Sequence, residues 1–211
     1  VNRPPPPGVT SGERDRHERL HGLIGGKFGS NLISLQLDLG DVVAVVHPDR
    51  FLDLVSILKL DSELQFNLLL SVTAVDWMDA RPERFEAVYH FLSTTHLHRV
   101  RVKVPLPESK PVVKSLYSLY PGANFMEREA WDMLGIQFDG HPDLRRVLMY
   151  EEFVGHPLRK DYPVQGKQPR IPLRYPEVHN TARDMNRPGL YAINPKRAQR
   201  SSDGESQGVR S

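Results

Sequence analysis

Between residues 33 and 46 the chain alternates apolar and polar side chains, turns, and runs apolar again, and this restricts the fold more than any other feature. Ile33, Leu35, Leu37 and Leu39 alternate with Ser34, Gln36 and Asp38, the period-two signature of a half-buried strand. Gly40-Asp41 suits a two-residue turn into the apolar run Val42 to Val46, which predicts a β-hairpin. Further strands are expected over 64–76, with Phe66, Leu68, Leu70 and Val72 on one side, and at Phe85, Ala87, Tyr89 and Phe91. A neighbour follows at Val100, Val102 and Val104.

Helices are expected over 13–28, with Leu20, Leu23 and Ile24 as a narrow stripe fraying near Gly25-Gly26, and after Pro48. Phe51, Leu54, Val55 and Leu58 give the second helix its buried face. Lys114 to Tyr120 reads as a short helix. Strands that arrive in hairpins, without repeated βαβ units, predict an α+β fold. Its mainly antiparallel or mixed sheet carries helices packed on one face, with an extended Pro-rich C-terminal arm.

Composition narrows the classes. An apolar content of 39% and a mean hydropathy of −0.46 suit a soluble globular protein with polar extensions. No run approaches the ~20 apolar residues of a membrane span. There is no cysteine, which removes disulfides, zinc–thiolate sites, cysteine-ligated iron–sulfur clusters and thiol nucleophiles. Residues 1–12, with Pro4 to Pro7 in a row, read as a disordered or polyproline II arm, neither a signal nor a transit peptide. Residues 13–140 read as the compact domain, 141–193 as an extended partner-docking arm and 194–211 as a disordered tail. In the arm Pro169, Pro172 and Pro176 break periodicity, while Arg170, Arg174 and Tyr175 suit an acidic neighbour.

Residues 1–140 carry 15 Lys or Arg against 18 Asp or Glu, and residues 141–211 carry 13 against 8. An acidic body without a recognition motif is not expected to bind nucleic acid. Arg99, Arg101 and Lys103 form a basic row that reads as the wet side of a sheet, with an acidic partner surface as the second reading. His90, His96 and His98 read as turn histidines or, less simply, as metal ligands; His17 and His21 form an i,i+4 pair with no third ligand nearby. No phosphate loop, dinucleotide fingerprint or nucleophile elbow is present.

Charge and turn chemistry concentrate from Pro121 to Pro163. Asn124 reads as an N-cap with Glu127 three residues on, and Met126, Ala130, Met133 and Leu134 form one stripe ending at Gly135. Glu127, Arg128, Glu129 and Asp132 occupy the other faces, with Arg128 and Asp132 as an i,i+4 pair. Ile136 to Phe138 is strand-like. Asp139-Gly140-His141-Pro142 and Gly155-His156-Pro157 are turns, and Arg145, Arg146, Arg159, Lys160, Asp161 and Tyr162 follow them.

Glu127-Arg128-Glu129, Asp132-Met133-Leu134, His141, Arg145 and Val147-Leu148, at this spacing, resemble the signature of the thirty-kilodalton (C) subunit of respiratory complex I, the proton-pumping NADH:quinone oxidoreductase. Gly155 to Pro163 is similar to the same family. The resemblance is specific over residues 64–163 and looser over 13–63.

It implies a structural subunit of the hydrophilic peripheral arm, part of a respiratory-chain translocase whose NADH oxidation and quinone reduction involve other chains. It implies no catalytic residue, metal or cofactor here, while the complex uses FMN, iron–sulfur clusters, NADH and quinone. The implied neighbours are the forty-nine-kilodalton (D) subunit and the B subunit. The expected place is a membrane surface reached through the complex: without a transit peptide, the cytoplasmic face of a bacterial inner membrane, with a mature organelle chain whose presequence has been removed as the second reading. On this reading Arg145, Arg146, Arg159 and Lys160 would pair with partner carboxylates, and His141 and His156 would shape the turns. The sister reading is the equivalent subunit of a membrane-bound hydrogenase or formate hydrogenlyase complex.

Overall fold

The computed structural model describes residues 11–166 and residue 168; the remainder of the expected N-terminal arm, the Pro-rich segment beyond and the tail lie outside them. Helix α1 spans Ser11–Phe28 and leads through a single 3-10 turn into β1, Leu32–Asp38. It runs unbroken through Gly25, whose missing side chain leaves room for Leu35 at 3.4 Å. Strand β2, Asp41–Val46, pairs antiparallel with β1, with Asp38 opposite Asp41. The turn therefore falls at Leu39 and Gly40, one residue earlier than expected. Both take positive φ, 54° and 92°, the conformation a two-residue turn needs to follow strand twist.

Helix α2, Pro48–Leu60, buries the four residues its periodicity names: Phe51, Leu54, Val55 and Leu58. Strands β3 (Leu68–Asp76), β4 (Phe85–Ser93) and β5 (His98–Leu106) form a meander. The sheet order is β1-β2-β5-β4-β3, antiparallel except where β2 lies parallel to β5. β6 (Val112–Lys114) and β7 (Gln137–Asp139) form a separate parallel pair flanking α3, Ala123–Leu134.

Core-facing residues of the sheet, among them Val72, Ala87, Tyr89, Phe91, Val100, Val102 and Val104, join side chains of all three helices in one buried cluster. Phe51 packs on Tyr89 at 4.4 Å between ring centres. Each such ring or aliphatic chain taken from water contributes about 1.5–3 kcal/mol. The architecture is thus α+β, with the helices on one face of a mixed sheet.

Two segments depart from expectation. Strand β3 begins four residues late, and Leu68 and Leu70 face solvent while Leu69 and Val72 are buried. A register shift between Leu69 and Ser71 inverts the phase, which three consecutive leucines cannot reveal. Residues 114–120 are not helical. Val112 to Lys114 pair with β7 instead, and one turn closes with Tyr120 N donating to Leu116 O at 2.7 Å.

Candidate docking site

Helix α3 places charge where a surface helix would not. Gly122 occupies its N-cap without a side-chain hydrogen bond, so Asn124 lies inside the first turn. Asn124 N and Ala123 N find Pro121 O and Tyr120 O, which leaves no vacancy for a capping box. Glu127 is fully buried instead. It accepts Ser115 Oγ at 2.6 Å and Leu116 N at 2.7 Å, pinning the turn that replaces the expected helix. Burial pushes its carboxyl above the usual range, against the pull of those two donors. The stretch thus contains a raised carboxyl that no apolar pocket in the sequence had signalled.

Arg128 and Asp132 do not pair. Arg128 donates from Nε to Arg145 O and from Nη2 to Arg146 O, both at 3.1 Å. Asp132 is fully buried, and Arg146 Nη1 meets its Oδ1 at 2.5 Å. Its Oδ2 accepts Val147 N, Leu148 N and Met149 N at 3.1, 2.9 and 2.9 Å. Three consecutive N–H groups make a backbone nest around one carboxylate oxygen. Burial alone would raise this carboxyl, but the Met149 N–H, the Arg146 guanidinium and the other two N–H groups outweigh it and hold it low. Glu129 is the one acid of this helix that faces solvent.

The segment after β7 is a strap tied along α3. Gly140 turns it at φ 85°. His141 Nε2 donates to Asn124 O at 3.2 Å while its Nδ1 accepts Asp143 N, which fixes the Nε2–H tautomer. Pro142 is exposed beside it. Arg146 also donates to Phe153 O and Gly155 O, and its guanidinium lies over Trp131 and Phe153. His156 Nδ1 donates to Asp132 O at 3.0 Å, and burial, ahead of Arg159 and Arg146, lowers its pKa. Pro157, half-buried, leads to Leu158, whose N–H reaches Met133 O. Arg159 Nε donates to Leu134 O at 2.6 Å, capping the helix C-terminus.

Gly135 makes this closure possible. It ends α3 at φ 80°, and any Cβ there would meet the His156 ring at 2.7 Å and the Arg159 guanidinium closer still. Gly155, at φ 90°, lies under the Tyr162 ring, which stacks on Phe153.

The far end of the strap is fastened by residues the sequence reading missed. Arg84 forms a fork to Asp76 with both contacts at 3.0 Å, meets Asp161 at 3.0 Å and reaches Glu108. Asp76 also accepts Lys160 N and Met78 N, both at 2.9 Å. Burial opposes its ionisation, but the Arg84 fork and the two N–H donors bring its pKa down to about 2. Its position opposite Phe85, at the mouth of the β3–β4 hairpin with Arg84 across the loop, was the available signal. Gln168 was missed as well; its amide exchanges two hydrogen bonds with the backbone of Val154.

Of the four cations expected to face a partner, Arg146 and Arg159 are largely spent within the chain, while Arg145 and Lys160 are exposed. Outward-facing apolar side chains accompany them: Leu148, Tyr150, Val154 and Leu158, with Phe125 on α3. Away from this site, His96 Nε2 and His98 Nε2 donate to Ser62 O and Leu64 O. Among the described residues no group of three or more His, Cys, Asp or Glu is placed to hold a metal.

Known proteins resemble this chain over the same region. The family model for the respiratory-chain NADH dehydrogenase, 30 Kd subunit, matches residues 44–168. A protein of Rhodobacter capsulatus named as the C subunit of NADH-quinone oxidoreductase is 47% identical over 148 residues, 70% of this chain and 72% of its own length. Among solved structures, a trypsin-resistant fragment of Nqo5 is 32% identical and superposes with a TM-score of 0.53 over 61% of this chain and 99% of the fragment. A chain of an archaeal respiratory membrane complex, the membrane-bound sulfane sulfur reductase, shares the fold. It is 24% identical, with a TM-score of 0.57 over 70% of this chain and 86% of that one. With its buried-acid helix, tied strap and matched sequence taken together, the chain belongs to the family of the thirty-kilodalton subunit of respiratory-chain NADH dehydrogenase, complex I.

Proposed function

We propose that this chain is a structural subunit of the peripheral arm of proton-pumping NADH:quinone oxidoreductase, without a cofactor or catalytic residue of its own. It docks beside the forty-nine-kilodalton (D) subunit and supports assembly of the quinone-site module which that chain forms with the B subunit. FMN and the iron–sulfur clusters belong to other chains, and the complex holds this one at the cytoplasmic face of a bacterial inner membrane. The observation that carries the reading is the strap. Its backbone is locked by Asp132, Arg146 and Gly135, yet it turns Leu148, Val154 and Leu158 outward at 56, 66 and 62% exposure. A rigid segment that exposes this much apolar surface suits a permanent protein neighbour.

The sister reading, a component of a hydrogenase-type membrane complex, has less support. The curated relatives carry the NADH-quinone oxidoreductase name, and the likeness to the archaeal complex extends to the fold alone.

Charge reversal tests the docking. Arg145→Glu and Lys160→Glu alter exposed side chains, so each variant should fold while its recovery in the membrane complex falls. Normal incorporation of the double variant would refute docking through this strap.

A further inference from the structure

The face of the five-stranded sheet opposite the helices carries a built cationic cavity. Register places Ser71, His90 and Arg101 side by side across β3, β4 and β5. Ser71 Oγ lies 2.9 Å from His90 Nδ1, and Arg101 Nε donates to His90 Nε2 at 2.9 Å. A guanidinium can only donate, so His90 must accept at Nε2 and carry its proton on Nδ1, toward Ser71. The Ser71 hydroxyl therefore meets a donor, not a base, which removes the nucleophilic reading of this pair. What the arrangement does is hold Arg101 in place.

Arg101 and Arg99 then converge on Asp41, each at 3.6 Å. That separation is an ion pair but too long for a hydrogen bond. Two guanidiniums share one carboxylate, and Lys103, next in the row, is answered by Glu86 at 3.1 Å. Among the residues lining the cavity, two guanidiniums thus stand against one carboxylate, which favours an incoming oxyanion. The cavity measures about 330 Å³ and is walled on one side by Leu70, itself 44% exposed.

We infer that this cavity receives a carboxylate side chain from an acidic segment of a neighbouring subunit, making the sheet face opposite the helices a second docking surface distinct from the strap. Paired guanidiniums in a fork select a planar oxyanion, and Leu70 offers apolar contact to the stem that bears it. Residues 169–211 carry eight Lys or Arg against four Asp or Glu, a net charge of the same sign as the cavity's, so charge complementarity favours an acidic segment of another chain.

The inference rests on the reading that the chain is built into an assembly, but its test is separate from that of the strap. A photo-crosslinking amino acid is placed at Leu70 in the intact, affinity-purified complex, and its adducts are mapped by mass spectrometry. The expected adduct is an Asp- or Glu-bearing segment of another subunit, with yield reduced on the order of tenfold when Arg99→Glu is added. Arg99 is exposed, so the variant chain retains its fold by circular dichroism. Adducts only with lipid, with a segment lacking acids, or with nothing above background would overturn the inference. So would a yield insensitive to Arg99→Glu. A failed strap experiment with a normal Leu70 adduct would reject the strap alone.

Discussion

Asp132 and Glu127 sit on one helix, are equally buried, and meet opposite electrostatic fates. Asp132 has a guanidinium and three N–H groups, so its ionised form is favoured. Glu127 has a hydroxyl and one N–H, too few to offset burial. Asp132→Asn keeps the shape but leaves Arg146 without its charge partner. Urea denaturation should show a loss of about 3–5 kcal/mol, the cost of breaking a buried pair; a change below about 1 kcal/mol would contradict the role given to it. The linkage signs also differ. Asp76, at about 2 when folded against 3.8 unperturbed, stabilises the fold above about pH 4, and that contribution fades as pH falls toward 2. Glu127, raised when folded, favours the fold below its unfolded pKa and loses that contribution as pH rises through the folded value. Glu127→Gln, which can still serve Leu116 N and Ser115, should therefore gain stability relative to wild type as pH climbs above the unfolded carboxyl range. A difference independent of pH would show that Glu127 titrates normally.

Helix α3 and its strap act as one element because Gly135 lets them close. Gly135→Ala combines backbone strain with a clash against His156 and Arg159, so a cost of about 2–4 kcal/mol is expected, with limited proteolysis newly cutting within the strap. Gly140 has a similar φ, 85°, but open space where a Cβ would go. Gly140→Ala should thus cost only about 1 kcal/mol and leave the strap protected. Equal protease sensitivity of the two variants would mean that the close approach at Gly135 is irrelevant. Much of this element was legible: the stripe, the terminal glycine and both turns follow from residue type and spacing. The destination of the charges was not. Periodicity shows that Glu127, Arg128 and Asp132 leave the apolar stripe. It cannot show that Asp132 is met by N–H groups of the strap, Arg128 by the strap's carbonyls, and Glu127 by the turn at Ser115-Leu116 upstream. The same limit explains β3, where Leu68, Leu69 and Leu70 are all apolar and carry no phase, and Asn124, whose capping role depended on carbonyls upstream.

At the scale of the whole molecule, the hairpins, the α2 face and the α+β class could be read from local alternation because each needs only neighbours in sequence. The parallel β2–β5 contact and the Asp76–Arg84–Asp161 clamp could not, since both join segments far apart in the chain. That clamp returns the strap to the sheet and makes the proposed docking surface an extension of the core. No helix among the described residues is long and apolar enough to cross a membrane. The most direct measurement is affinity purification from native membranes in mild detergent. Wild type is compared with a Val154→Asp, Leu158→Asp chain shown to be folded, using mass spectrometry and an NADH:quinone reductase assay. Wild type should bring down the D and B subunits with inhibitor-sensitive activity, and the variant should lose both. A variant recovered in full complex with undiminished activity, or a wild-type chain recovered alone, would contradict docking through the strap.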